Sequence, residues 1–455
     1  MKPAALLCCA LLAAVALALP TARAVMVTNP MMAGVADPDV LRVDDEHGQP
    51  TYFLTHTVGN GADFPLFVSQ DLVSWHQHHE GLFNHSGTPG HSVQMGAYHY
   101  CWLWAPEIRP ANKIGGFILS FTASRFDKPQ TPCPGYDEGS GVFMAYAKTP
   151  YGPFYDASNA DVFPRPTGAS LDPKQCEQKQ WLQLPHSTIV DQHDCDSQNG
   201  VLCNNTMRLD PDVFNDPKTG ESWFAYSFYT NSEVVLKPFE LTNLGEHVGL
   251  VKQSADDPRF VSCNPAEATK VWGANCHDEA TLDRLAKYCP RCGEMLSFVK
   301  GRLNETMMRG PAIWGVVEGA MLFRRGDLVY LLMSHSAWDS AYYSVMWTAA
   351  PTVEELAYTN EKRMVGRFLI PSKDQNFGHG TAVLGPDNEH WYYIHHHLDH
   401  STCNKPGDNC SRDLYISPLN FNADGSIQPV FPAENLHVEV YQPKNTHAAQ
   451  RIALA

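Results

Sequence analysis

DPDVLRVDDEHGQPTYFLTHT, residues 37–57, and DPDVFNDPKTGESWFAYSF, residues 210–228, open on the same tetrapeptide and continue alike. Each begins with a carboxylate, passes Pro, runs as an apolar strand, turns at Gly, Asp or Asn, and returns as an aromatic strand. Three more segments follow this plan: APEIRPANKIGGFILSFTAS from Ala105, EGAMLFRRGDLVYLLMSHS from Glu318 and HGTAVLGPDNEHWYYIHHH from His379. Turn residues between runs rich in β-branched and aromatic side chains predict five hairpins. Further strand candidates are PLFVS at 65–69, GVFMAYA at 141–147, YYSVMWT at 342–348 and DLYISPL at 413–419. Five units of about four short strands predict a five-bladed β-propeller. A β-sandwich would also use such hairpins, but it gives no reason for the repeated order. Spacing between the units is uneven, so insertions are expected at about 125–209 and 240–310.

In a propeller the innermost strands begin near the central axis. Their first residues, Asp37, Ala105, Asp210, Glu318 and His379, are therefore expected to face one another. Converging carboxylates repel and shift one another's pKa, so the arrangement needs a functional reason. Glycoside hydrolysis supplies one, because it needs a protonated carboxyl and an ionised one at a single bond. A third carboxylate can keep the acid protonated. Asp39 and Asp212 share the faces of Asp37 and Asp210, but repeat register favours the first position. His379 is open to three roles: metal ligand, donor to substrate, or core histidine. His395-His396-His397 cannot converge on one ion, since successive strand residues alternate faces. His395 or His397 is the member expected to reach the pocket.

The 455 residues carry 33 Lys+Arg against 49 Asp+Glu, a formal charge of −16, which argues against nucleic acid or an anionic membrane as partner. A Lys2 n-region, an apolar run over residues 4–18 and the small-x-small site Ala22-Arg23-Ala24 read as a signal peptide, residues 1–24. The expected product is an extracellular, secreted, monomeric single domain over 25–455. Of 13 Cys, Cys8 and Cys9 leave with the signal, and the odd remainder predicts disulfides with one Cys left over. Sequons at Asn84, Asn204, Asn304 and Asn409 fit glycosylation. Glu279–Cys289 has helical apolar spacing. The fold expected is thus all-β, a five-bladed propeller with Cys-rich loop insertions.

The motifs resemble glycoside hydrolase family 43. ADPDV at 36–40 resembles its general-base motif, and WAPEI at 104–108 its second-blade signature. LDPDVF at 209–214 resembles the motif of the pKa-modulating Asp, and VEGAMLF at 317–323 that of the general acid. GHGTAV at 378–383 resembles a fifth-blade motif whose His lies under the sugar and sometimes helps hold a hydrated calcium ion. QDLVSW at 70–75 and YGPFYD at 151–156 resemble blade ends, and SRDLYISPLNFNADGSI at 411–427 resembles the last blade, where an Arg can line the pocket. The GAM after Glu318 departs from the family's usual Gly-Pro.

The resemblance implies an inverting glycosidase with Asp37 as base, Glu318 as acid and Asp210 tuning Glu318. Inversion implies Asp37 and Glu318 carboxyls roughly 6.5–9.5 Å apart. Phe64 and Trp104 are candidate sugar-stacking rings, and His379 and Arg412 candidate substrate contacts. No cofactor is required; a structural calcium, with His379 acting through waters, is the one metal implied. The expected substrate is a plant-type polysaccharide or oligosaccharide, with α-L-arabinofuranosidase or β-xylosidase activity foremost. Endo-arabinanase, exo-galactanase, a retaining fructan-type glycosidase and a non-catalytic carbohydrate-binding propeller are the alternatives.

Overall fold

The computed structural model describes residues 23–155, 208–250 and 317–443, with short breaks within each stretch. After β1 (Arg23–Thr28) comes a four-stranded sheet of β2 (Ala36–Asp44), β3 (Pro50–Thr57), β4 (Leu66–Ser69) and β5 (His76–His79). A second holds β6 (Val93–Met95), β7 (Tyr98–Pro110), β8 (Phe117–Phe126) and β9 (Gly141–Ala147). A third holds β10 (Arg208–Asn215), β11 (Ser222–Phe228), β12 (Glu233–Asn243) and β13 (His247–Leu250). A fourth holds β14 (Val317–Arg325), β15 (Leu328–His335), β16 (Ser344–Ala350) and β17 (Met364–Arg367), with a short helix α1 (Val353–Tyr358) between the last two. β18 (Gln375–Leu384), β19 (Trp391–Asp399) and β20 (Arg412–Pro418) form a three-stranded sheet, and β21 (His437–Gln442) pairs with β1. Every named pair is antiparallel.

The sequence folds this way because each hairpin has a tight polar turn and two faces to bury. In β18 all eight residues from Asn376 to Val383 are buried, and β16 is buried throughout. Continuous burial means that both faces of these sheets are covered by neighbours. The core is accordingly divided between sheets. Leu41, Phe53, Leu119 and Phe143 pack between the first and second sheets. Phe214, Trp223, Leu322 and Leu331 pack between the third and fourth. Phe323, Trp347, Tyr393 and Tyr415 fill the space between the fourth and fifth, and Val40, Leu54, Ile394 and Ile416 that between the fifth and first. Sheet-on-sheet packing that returns to its start is an all-β, propeller-like ring.

The ring is fastened by the chain's outer segments. β1 pairs in register with β21, Val25 opposite Val440. The following residues cover the free edge of β20: Met31 N–H donates to Leu414 O, and Leu414 N–H to Met32 O. Asn29 bridges the same strand, Nδ2 donating to Ile416 O at 2.8 Å and Oδ1 accepting Ile416 N–H at 3.0 Å. This pairing leaves β20 without an open ladder there, as edge protection requires.

β9 falls on the expected strand GVFMAYA at 141–147, and Tyr155 bridges to its Tyr146. β13 extends sheet structure to Leu250, into the insertion expected at 240–310. Among the described residues one disulfide is present, Cys101–Cys133. The other nine mature Cys, the four sequons and the expected helix at 279–289 lie outside the described residues. No helix among the described residues is long and apolar enough to cross a membrane.

Candidate active site

The five inner strands share one backbone device. Asp37 (φ 48), Ala105 (φ 45), Asp210 (φ 56), Gly319 (φ 59) and His379 (φ 43) all stand in the left-handed region. Non-glycine residues there carry strain, and such strain persists only where surroundings enforce it. Here each N–H is held by a side chain. Ala105 donates to Thr57 Oγ1 at 2.7 Å, and Asp210 to Thr122 Oγ1 at 2.9 Å. Gly319 donates to Asp210 Oδ2 at 2.9 Å, and His379 to Ser334 Oγ at 2.7 Å. Asp37 donates to His396 Nδ1 at 3.1 Å. Each acceptor belongs to the preceding sheet, and His396 of the last sheet caps Asp37 of the first, so the strained residues form a closed circuit.

This circuit corrects the register expected for the fourth segment. Gly319, not Glu318, is the counterpart of Asp37 and Asp210; Glu318 matches Ala36, Trp104, Leu209 and Gly378, each at the edge of a bulge. Glycine suits this position because a Cβ would stand 2.9 Å from His379 Cγ. Glu318 nevertheless reaches the same site. Asp37, Asp210, Glu318 and His379 are all buried, and they converge. His379 Nδ1 lies 3.2 Å from Asp37 Oδ1 and 3.8 Å from Asp210 Oδ2. Arg412 Nη1 donates to Asp37 Oδ1 at 2.7 Å, and Tyr343 Oη donates to Glu318 Oε1 at 2.7 Å.

The surroundings push these carboxyls apart in pKa. Burial alone would raise Asp37, but Arg412, and after it His379, outweigh burial and hold the group well below the usual range. Among the described residues no cation forms an ion pair with Glu318, and Arg412 lowers it only weakly. Burial, and then the charge of Asp210, hold it well above its usual range, with the Tyr343 hydrogen bond opposing them only in part. Asp210 is raised by burial; His379 opposes, Asp37 adds, and the Gly319 N–H opposes. The site thus biases one carboxyl toward its ionised form and another toward its protonated form, the pairing that acid–base catalysis uses.

The remaining sequence candidates divide. Trp104 is half-buried, tilted against Trp102 with ring centroids 6.2 Å apart. Phe64 is not available as a sugar platform: it has no exposed surface and packs against Phe83 and Phe121 in the core. In the histidine tract the parity is the reverse of that expected. His396 is the member beside Asp37, 3.3 Å from Oδ1. His395 is tied to Ser417 Oγ at 2.9 Å, and His397 stacks on Phe377. Burial pushes His395 and His396 down to about 3, so both are neutral imidazoles. Sequence reasoning missed Tyr343, and it missed Trp338, whose ring lies 5.0 Å from the Arg412 guanidinium. It also passed over the hydroxyls of Thr57, Thr122 and Ser334, which recur near the ends of second strands and were a readable signal.

Below the site lies a second acidic layer. Arg109 reaches Asp39 at 2.7 Å, Glu107 at 2.9 Å and Asp212 at 3.0 Å. Asp39 also accepts Ile108 N–H, and Asp212 accepts Leu322 N–H, so both carboxylates staple neighbouring inner strands. Burial and the charge of Asp212 push Glu107 well up, despite Arg109.

The residues at His379 do not make a direct calcium shell. Calcium takes six to eight oxygens, and here a ring nitrogen faces carboxylates already used by Arg412 and Gly319 N–H. Among the described residues, Asp387, Glu389 and His390 form the one group with three converging ligand atoms. It sits in the turn beyond the far end of β18.

The sequence profile described as Glycosyl hydrolases family 43 matches residues 27–195 and 295–427. Among solved structures, a thermostable family-43 glycoside hydrolase is similar with TM-score 0.52 at 15% identity, over 89% of this chain and 96% of that one. An α-L-arabinofuranosidase from Lactobacillus brevis is similar with TM-score 0.50 at 13% identity, over 89% of this chain and 97% of that one. Comparison with curated proteins finds no match. The repeated strand starts, the carboxyls they gather and a profile match over most of the length place this chain in glycoside hydrolase family 43.

Proposed function

We propose that the chain is a secreted, inverting exo-glycosidase on a five-bladed propeller, acting on plant-type oligosaccharide or polysaccharide. An α-L-arabinofuranosidase or β-xylosidase activity is the specific reading, and the arabinofuranosidase named above agrees with it. The fifth blade in this reading is the three-stranded sheet, its edge completed by residues 29–32. Cleavage after Ala24 would trim two residues from β1 and leave Val25–Thr28 paired with β21.

One observation carries the chemistry: two carboxyls in one buried site, Asp37 tied to Arg412 and Glu318 left beside Asp210. In the reaction Asp37 takes a proton from the attacking water as its oxygen bonds to the anomeric carbon. Glu318 delivers its proton to the departing glycosidic oxygen. Asp210 keeps Glu318 protonated in the resting state and holds Gly319 N–H, which fixes the acid's backbone. A non-catalytic binding propeller would have no need for this convergence. In this reading Arg412 meets the sugar, with the Trp338 ring 5.0 Å from its guanidinium, and Trp104 is an aromatic sugar contact.

The test is Glu318→Gln with an alkyl glycoside, after wild type has been screened on aryl arabinofuranosides, xylosides and galactosides. Turnover should fall by about 10²–10⁴, the usual value of an acid catalyst, with an unchanged circular dichroism spectrum. A variant that keeps most of its rate overturns the acid assignment. The anomer released first, read by NMR, should be inverted; retention would point to the fructan-type alternative.

A further inference from the structure

The two oxygens of Glu318 are not equivalent. Tyr343 Oη donates to Glu318 Oε1 at 2.7 Å. A phenol has one proton to give, so Oε1 is the acceptor of this bond and Oε2 is left to carry the transferable proton.

We propose that Tyr343 is a positioning residue for the acid: it reserves Oε2 for the transferable proton and stabilises the carboxylate left after transfer. The proposal rests on Glu318 being the acid. The Tyr343 ring is built in to hold this place. It has no exposed surface and lies parallel to His396, with centroids 5.6 Å apart and planes 5° apart. Gly378 makes room for it, since a Cβ there would stand 1.9 Å from Tyr343 Cε1. His396 in turn accepts the N–H of Asp37. The stacked pair thus sets acid and base together.

A donor to Oε1 favours the ionised form of Glu318. The charged groups facing Glu318 are Asp210 and Asp37, which hold its proton on, and Arg412, which with the Tyr343 hydroxyl helps release it. Without that hydroxyl Glu318 binds its proton more tightly and is a weaker acid. The basic limb of kcat/KM must then move to higher pH. Leaving groups that need protonation must suffer more than those that do not.

The test is Tyr343→Phe, which keeps the ring and its packing. We expect the basic limb to rise by about one pH unit, a tenfold change in proton affinity. On an alkyl glycoside kcat should fall about tenfold or more, and on an aryl glycoside with a good leaving group by under about threefold, with KM little changed. The infrared carbonyl band of protonated Glu318, identified by its loss in Glu318→Gln, should persist to higher pH in the variant. An unmoved carbonyl titration in Tyr343→Phe, or an equal rate loss for both leaving groups with an unmoved limb, overturns the proposal. If wild type hydrolyses no glycoside, the infrared titration still reads the Tyr343–Glu318 link, and the failure falls on the glycosidase reading instead.

Discussion

Replacing Arg412 by Met should convert a low-pKa base into an ordinary one. Arg412 Nη1 sits 2.7 Å from Asp37 Oδ1, and only 19% of its side chain is exposed. At an effective dielectric of about 20 the bare attraction is about 6 kcal/mol. The cost of burying the guanidinium offsets much of this, and a hydrogen bond to a charged group nets about 1.5–3 kcal/mol. At 1.36 kcal/mol per unit, Asp37 should rise by about one to two pH units. His379 remains, so the group stays partly depressed. The base must be ionised, so the acid limb of kcat/KM should move upward by the same amount. The sign for stability follows. A depressed carboxyl stabilises the fold above its unfolded pKa of about 3.9, and the gain is lost as pH falls through the folded value. Arg412→Met should therefore lose about 1.5–3 kcal/mol at neutral pH, and the gap from wild type should close in acid. The assays are pH–rate profiles on an aryl glycoside and urea unfolding at several pH values. Arg412→Lys, which keeps a charge, should shift the limb less. An acid limb that stays in place in Arg412→Met, with only KM raised, would refute the reasoning and leave Arg412 as a substrate contact alone.

Arg109→Met should cost about 3–5 kcal/mol in urea unfolding, since it strands Asp39, Glu107 and Asp212 in the interior. A loss below about 1 kcal/mol would mean that the acids take up protons and need no partner. Gly319→Ala should destabilise by about 1–3 kcal/mol, because it adds left-handed strain and drives a Cβ against His379. The same change should lower kcat, and full activity would show that His379 placement is not critical. Removing the Cys101–Cys133 link by a double Ser substitution should cost about 3–4 kcal/mol for its separation of 32 residues. Activity at 25 °C should persist, since no site residue is touched.

The repeat was legible because its signals are local. Pro, turn residues and alternating strands mark β2 and β10 without tertiary knowledge, and the gathering of Asp37, Asp210 and His379 follows from their common register. What lay beyond the sequence depended on backbone detail. Glu318 was placed one residue off because the true marker is a left-handed φ, and Gly319 shows that only in three dimensions. Which face of β19 sees the pocket is set by pairing across the bulge at Gly378–Gly380, so the parity of His395, His396 and His397 could not be counted out. Phe64 has the composition of a sugar platform, but Phe83 and Phe121 enclose it. Tyr343 and Trp338 stand between β15 and β16, outside any repeated position, so no register singled them out.

The pairing of β1 with β21 also has a kinetic meaning. Thr28 Oγ1 meets His437 Nδ1 across 409 residues of chain. Closing so long a loop from an open coil costs about 5 kcal/mol beyond a constant, whereas each hairpin closes over a few residues. The sheets can therefore form locally and in order during synthesis, but the ring cannot shut until the last strand has left the ribosome. Until then Val27 of β1 lacks the cover that β21 gives it. Loss of either strand would leave that apolar side chain without its partner strand.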